Sequence, residues 1–173
     1  MRQMPEPAEL SAAYKNVLGL RALRHYEDRL LSEADLQAIL QAGRWTGSSK
    51  NQQDWVVIVV NDPEQKERLA ACGDFTDPVR RAPVALALVQ EPNGHDFDIG
   101  RLAQNIMLAA KAIGVATCPV TFHRSDDAAL VLGLPAGARA RYGIAAGYPA
   151  PEDGRARYGG RRDLDSFVRW NSY

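Results

Sequence analysis

The stretch DIGRLAQNIMLAAKAIG, residues 98–114, constrains this chain more than any other. Ile99, Leu102, Ile106, Met107, Leu108, Ala109, Ala110 and Ile113 recur at helical spacing but spill over more than one face. Such a helix cannot lie on a surface with one side in water. It needs apolar elements around it, so it should be central and largely buried. Asp98 is the expected cap and Gly114 the stop. The partners it needs are present as short apolar strands. WVVIVV (55–60) lacks polar alternation and reads as a strand covered on both faces. Residues 84–89 follow Pro83 as a second strand, VATCPV (115–120) is a third, and residues 142–148 are a fourth.

Further helices alternate with these strands. Apolar residues at Leu10, Ala13, Tyr14, Val17 and Leu18 predict a helix over 7–20. Ser32 caps a second, with Leu36, Ile39 and Leu40 on one face and Gly43 at its end. Asp62-Pro63 opens a third that runs to Gly73. Ser125 caps a small helix, and the tail DLDSFVRWNSY starts helical and ends in aromatics. No linker or repeat divides the 173 residues, so residues 1–173 read as one mixed domain of helices and strands.

Composition excludes several function classes. Lys and Arg number 21 and balance 21 Asp and Glu, which removes the electrostatic case for nucleic acid or an anionic membrane. No apolar run is long enough to span a bilayer, and MRQMPEPAEL lacks the apolar core of a signal peptide. Cys72 and Cys118 form no framework and read as reduced thiols of a cytoplasmic protein. GxGxxG, Walker, HExxH, CxxC and GxSxG patterns are absent, and Cys118 with His123 is too few ligands for zinc. No metal and no catalytic side-chain triad or dyad is expected.

Two groups of residues carry chemical interest. Arg21 and Arg24 lie three apart, and Arg161 and Arg162 form a second pair near the other end of the chain. Together they could clamp a phosphate dianion through charge-assisted bonds. Equally, both could be solvated surface pairs. The polar loop TGSSKNQQ, with Ser48, Ser49 and Asn51, suits a polar ligand edge or a phosphate. It could also cap the preceding helix and satisfy its own backbone. Trp45 and Trp55, which flank it, read more readily as core anchors than as ligand stackers.

Taken in order, LRALRHY, SSKNQQDW, RLAQNIMLAAKAIGVATC, LGLPAGARARYGIAAGYP and GRRDLDSFVRW resemble the FMN-dependent nitroreductase family over nearly the whole chain. The chain is short for that family, with little room for the insertion that roofs the pocket in larger members. The resemblance implies an α+β fold, a mixed sheet flanked by helices, with the C-terminal tail exchanged between the subunits of a homodimer. It implies an FMN cofactor, NAD(P)H as electron donor and a small-molecule acceptor such as a nitroaromatic or quinone. Arg21 with Arg161 or Arg162 would bind the FMN phosphate, and Arg24 would sit near the pyrimidine edge. Ala22 lies within that arginine segment. Ser48, Ser49 and Asn51 would reach the flavin from across the dimer interface. Cys118, Pro119, Val120 and Thr121 would pass its N5 side by their backbone, with Cys118 packing rather than acting as a redox thiol. Leu20 and Ala22 replace the family's usual arginine and serine and remove phosphate contacts. Asp54 replaces a proline and adds negative charge beside the site. A flavin carrier or sensor with little turnover, and a scaffold domain that has lost FMN, are the other readings of the same resemblance.

Overall fold

The computed structural model describes residues 11–151 and 160–173. Residues 7–10 of the first expected helix therefore lie outside the described residues. The elements run α1 (Ala12–Leu18), α2 (Glu33–Arg44), a short 3-10 turn (Ser49–Asn51), β1 (Trp55–Val60), α3 (Pro63–Ala70), α4 (Asp77–Arg81) and β2 (Val84–Gln90). They continue through α5 (Asp96–Ala112), β3 (Ala116–Thr121), α6 (Ser125–Leu132), β4 (Arg139–Gly147) and α7 (Leu164–Phe167).

The four strands form one sheet in the order β1-β2-β4-β3. A mixed sheet was expected; all three pairings among the described strands are antiparallel. Helices cover both faces. Side chains alternate across a strand, so β2 serves two cores at once. Val84, Leu86 and Leu88 join Ile39 of α2 and Ile99, Leu102, Ile106 and Ala110 of α5 on one face. Ala85 and Ala87 join Leu69 and Ala70 of α3, Val79 of α4, Phe122 just after β3, and Ala128 of α6 on the other. The small residues of β2 face the side where Phe122 fills the space. Gly43 lets α2 lie close on α5: a Cβ there would come 3.0 Å from Ile106 Cγ1.

Local caps account for several helix starts. Ser32 Oγ accepts from the Asp35 amide, and Asp62 Oδ2 from the Gln65 amide, as their spacing requires. Two expected caps are displaced. α5 begins at Asp96 with His95 before it, and the Asp98 amide donates to the His95 carbonyl, so Asp98 lies inside the first turn. There its carboxylate still favours the positive end of the helix and meets Arg101 at 3.4 Å. Ser125 is likewise the first helical residue of α6. Its predecessor Arg124 is held by two bonds to the Ala71 carbonyl and one to Asp74, which fixes the entry to the helix.

Burial departs from the sequence reading in four places. β1 stands at a sheet edge, with Val56 46% exposed and only Val60 fully buried. α1 buries none of its residues, so the stripe of Tyr14, Val17 and Leu18 faces outward. Trp45 is 77% exposed and anchors no core, whereas Trp55 packs against the α2–α5 cluster. α5 buries one face fully, while Ala103 and Met107 pack only partly against that cluster.

Candidate functional site

The arginine segment is placed by the edge of β3. The Leu23 amide donates to the Thr117 carbonyl at 2.9 Å, laying residues 21–24 beside that strand. Farther along, Tyr26 bridges Pro149, and the Glu27 amide bonds the Tyr148 carbonyl. Tyr148 then clamps the return of the chain. Its hydroxyl accepts from the Ser32 amide and donates to Asp35 Oδ2, while the Arg29 guanidinium lies 3.5 Å above its ring centroid. The Tyr148 and Ser32 hydrogen bonds hold the Asp35 carboxyl below the usual aspartate range.

Arg21 and Arg24 are both exposed on this segment. Arg21 Nη1 donates to the Leu18 and Leu20 carbonyls at the end of α1, at 2.8 and 2.7 Å. Arg24 Nη1 donates to the Ala22 carbonyl at 3.4 Å. α1 itself is tied to α5: Asn16 Nδ2 donates to the Leu108 carbonyl, and Lys111 Nζ donates to Asn16 Oδ1. Asn16 and Lys111 thus fix the platform that carries Arg21, although neither stood out in the sequence.

β3 presents its outer edge to the arginine segment. Cys118 and Val120 turn inward, 3% and 5% exposed, and pack in different clusters. Pro119 is exposed, and Thr121 is half-buried. A proline has no amide to donate, which suits an edge strand. What these four residues offer at the edge is chiefly backbone.

The Ser48 loop stands elsewhere. It joins α2 to β1, and Lys50, Asn51 and Gln53 all take positive φ (50°, 55° and 57°). Ser48 Oγ accepts from the Gln53 amide at 2.9 Å, and the Asn51 and Gln52 amides bond the Ser48 and Ser49 carbonyls. The loop does satisfy much of its own backbone, as one reading expected, while Ser49 and Asn51 remain exposed. Sheet order puts β1 and β3 on opposite edges, roughly 14 Å apart at three strand spacings. Register separates them further. Trp55 is level with Gln90, whereas Thr117 pairs with Ala146, which is level with Val84, roughly 20 Å along the strands. Within one chain the Ser48 loop and the arginine segment occupy opposite corners.

Arg161 and Arg162 are exposed, and Arg161 Nη1 bonds the Gly160 carbonyl. The bonds described for Arg161 and for Arg21 go to carbonyls of residues close in the chain. Among the described residues no group of three or more His, Cys, Asp or Glu side chains could hold a metal. No described helix is long and apolar enough to cross a membrane.

Comparison with known proteins bears on this geometry. The family model described as the nitroreductase family matches residues 18–72 and 75–148. An Archaeoglobus fulgidus protein, provisionally named NADH dehydrogenase/NAD(P)H nitroreductase, is 27% identical over 149 residues, covering 80% of this chain and 86% of its own. The Bacillus subtilis FMN reductase [NAD(P)H] is 26% identical over 167 residues, covering 82% of this chain and 67% of its own. Among solved structures, an FMN-dependent nitroreductase from Clostridium difficile superposes with a TM-score of 0.80 at 24% identity, covering 91% of this chain and 98% of that one.

Proposed function

The chain belongs to the nitroreductase family, and from that premise we propose that it is an NAD(P)H-dependent FMN oxidoreductase working as a homodimer by a ping-pong exchange. The observation that carries the proposal is the separation of Arg21 and Arg24 from Ser48, Ser49 and Asn51 at opposite corners of one sheet. One chain cannot use both groups on one flavin. A second copy about a two-fold axis would bring the loop of each chain to the arginines of the other, giving two equivalent sites.

The exposed apolar surfaces support the same assembly. Tyr14, Val17 and Leu18 on α1, Val56 on the β1 edge, and Phe167, Trp170 and Tyr173 in the tail all lie open in the single chain. Aromatic side chains of this size call for apolar cover that the single chain does not give them. We place residues 166–173 on the partner subunit, within an interface on the order of 2,000 Å² or more, as in obligate dimers.

The donor chemistry fits FMN. Arg21, with Arg161 or Arg162, would suit a phosphate dianion. The exposed Ser49 and Asn51 side chains suit the polar edge of the ring, and Ser48 braces the loop that presents them. Cys118, Pro119, Val120 and Thr121 offer a strand edge along which a flat ring can lie, with Ala22 facing it from the arginine segment. Arg24 supplies positive charge where negative charge gathers on reduction. FMN held there would supply the redox chemistry that links a nicotinamide donor to a nitroaromatic, a quinone or another small acceptor. The chain's own work is to bind, orient and exclude water. Buried reduced thiols at Cys72 and Cys118 suit a cytoplasmic setting.

The test begins with an absorbance spectrum of the purified protein after FMN addition, followed by anaerobic NADH or NADPH. A bound flavin that bleaches rapidly is expected. A flavin that binds and stays oxidised would make the protein a carrier, and no binding at all would make it a scaffold. Replacing Arg21 and Arg161 together by alanine should weaken FMN binding by several kcal/mol, at about 1.5–3 for each charge-assisted bond. Unchanged affinity would refute the phosphate assignment.

A further inference from the structure

We propose that Thr46 and Asn105 are a positioning pair that holds the Ser48 loop in its flavin-binding conformation, an inference that rests on the functional reading above. Thr46 is 3% exposed, and its hydroxyl accepts from Asn105 Nδ2 at 2.9 Å. Asn105 projects from α5, the most heavily packed helix of the fold. The bond therefore ties the root of the loop to the rigid centre of the domain. Thr46 is also fixed from behind, where its amide donates to the Gly43 carbonyl at the end of α2.

The next residue lies beside a side chain of the same helix. A Cβ on Gly47 would come within 2.8 Å of Arg101 Nη2, one turn before Asn105. Arg101 is itself held toward Asp98, which is 7% exposed. α5 thus ties the loop root through the Thr46–Asn105 bond, and one turn earlier the Arg101 guanidinium lies beside Gly47. Only after Thr46 and Gly47 does the chain enter the strained stretch.

That stretch needs a brace. Lys50, Asn51 and Gln53 take left-handed conformations, which are strained for the Lys and Gln side chains in particular. Such conformations persist only where the surroundings over-determine them. The bonds within the loop close a ring from Ser48 to Gln53 but do not orient that ring against the domain. The Thr46–Asn105 bond does. Ser49 and Asn51 are then presented to the partner's flavin already ordered, so binding does not bear the cost of fixing them.

Thr46→Val keeps the shape of the side chain and removes the acceptor; Thr46→Ser keeps the acceptor. Two readouts separate the parts of the inference. The first is hydrogen exchange at the Asn51, Gln52 and Gln53 amides, measured on the flavin-free protein. Thr46→Val should raise their exchange about 5-fold, the factor expected for one neutral hydrogen bond, with core amides of α5 unchanged. Thr46→Ser should exchange as the parent does. The second is FMN affinity, which should fall by a similar factor in Thr46→Val and recover in Thr46→Ser. Unchanged loop exchange in Thr46→Val overturns the brace whether or not the parent binds FMN. Faster exchange with undiminished FMN affinity overturns the link between loop and flavin. A parent that binds no FMN refutes the functional reading instead, and the exchange result still decides the brace.

Discussion

Gly143 offers a sharp test of the fold, because β4 must stay bare at that position. It pairs with Ala87 on one side and Val120 on the other, at the middle of the sheet. A Cβ there would come 2.8 Å from Phe122 Cζ, 2.9 Å from Cε2 and 3.2 Å from the Leu86 carbonyl oxygen. Ordinary contact would need the ring to withdraw by about 0.6 Å, and close packing leaves no void for it to enter. Phe122 is 1% exposed, and its amide is pinned to the Arg141 carbonyl at 2.8 Å. Overpacking of this kind costs about 2–3 kcal/mol. Loss of glycine freedom in the unfolded chain returns about 0.4–1 kcal/mol. The net expectation for Gly143→Ala is about 1–2.5 kcal/mol, which lowers Tm by roughly 3–8 °C in a chain of this length. Urea denaturation at one fixed protein concentration measures it, since assembly would otherwise shift the midpoint. Phe122→Leu alone should cost about 1–1.5 kcal/mol through the space it leaves. In the double variant the smaller side chain makes room for the new methyl. The two costs should then fall short of additive by about 1–2 kcal/mol. Additivity within about 0.5 kcal/mol would refute steric conflict between these two positions.

Three other outcomes are expected. Tyr148→Phe removes the hydroxyl that bonds Asp35 and Ser32 and should destabilise the protein at neutral pH. Because that bond lowers the folded Asp35 pKa, its contribution is present above the usual carboxylate range and fades as pH falls through the folded value. The gap between parent and variant in denaturation midpoint should therefore close in acid. Lys66 is 8% exposed and donates to the Ala82 carbonyl, and burial pulls its pKa below the usual lysine value. The unfolded chain then holds that proton to higher pH, so stability should rise with pH between the folded value and about 10.4. Lys66→Met should abolish that rise in a pH series of melts. Cys118→Ser should retain FMN and turnover, because the thiol is buried among Ala82, Ala145 and Tyr26; lost turnover with flavin still bound would restore a redox role.

What could be read from the sequence was governed by neighbours within a turn of the chain. Ser32 and Asp62 cap helices because a side-chain oxygen three residues from an amide meets it wherever the helix lies. The apolar surfeit of residues 98–114 called for a packed helix, and α5 buries Ile99, Leu102, Ile106 and Ala110 against α2 and the sheet while its other apolar residues are covered only in part. Family order was legible too, since five motifs in sequence need no coordinates. Other features depended on partners distant in the chain. Asp98 and Ser125 carry good capping chemistry, yet α5 and α6 start where the surrounding structure fixes the entry, at Asp96 and beside Arg124. WVVIVV reads the same at the centre of a sheet or at its edge; only the order β1-β2-β4-β3 made it an edge. Asn105 is a polar residue on an apolar helix, a signal visible in the sequence, but its meeting with Thr46 required α2 to cross α5 at Gly43. The separation of Ser48 from Arg21 was likewise invisible, because motif order along the chain carries no distance across a sheet. Capping is a contact of three or four residues and is written locally. Strand order and register are set by which surfaces the whole chain can bury together, and only the tertiary structure decides them.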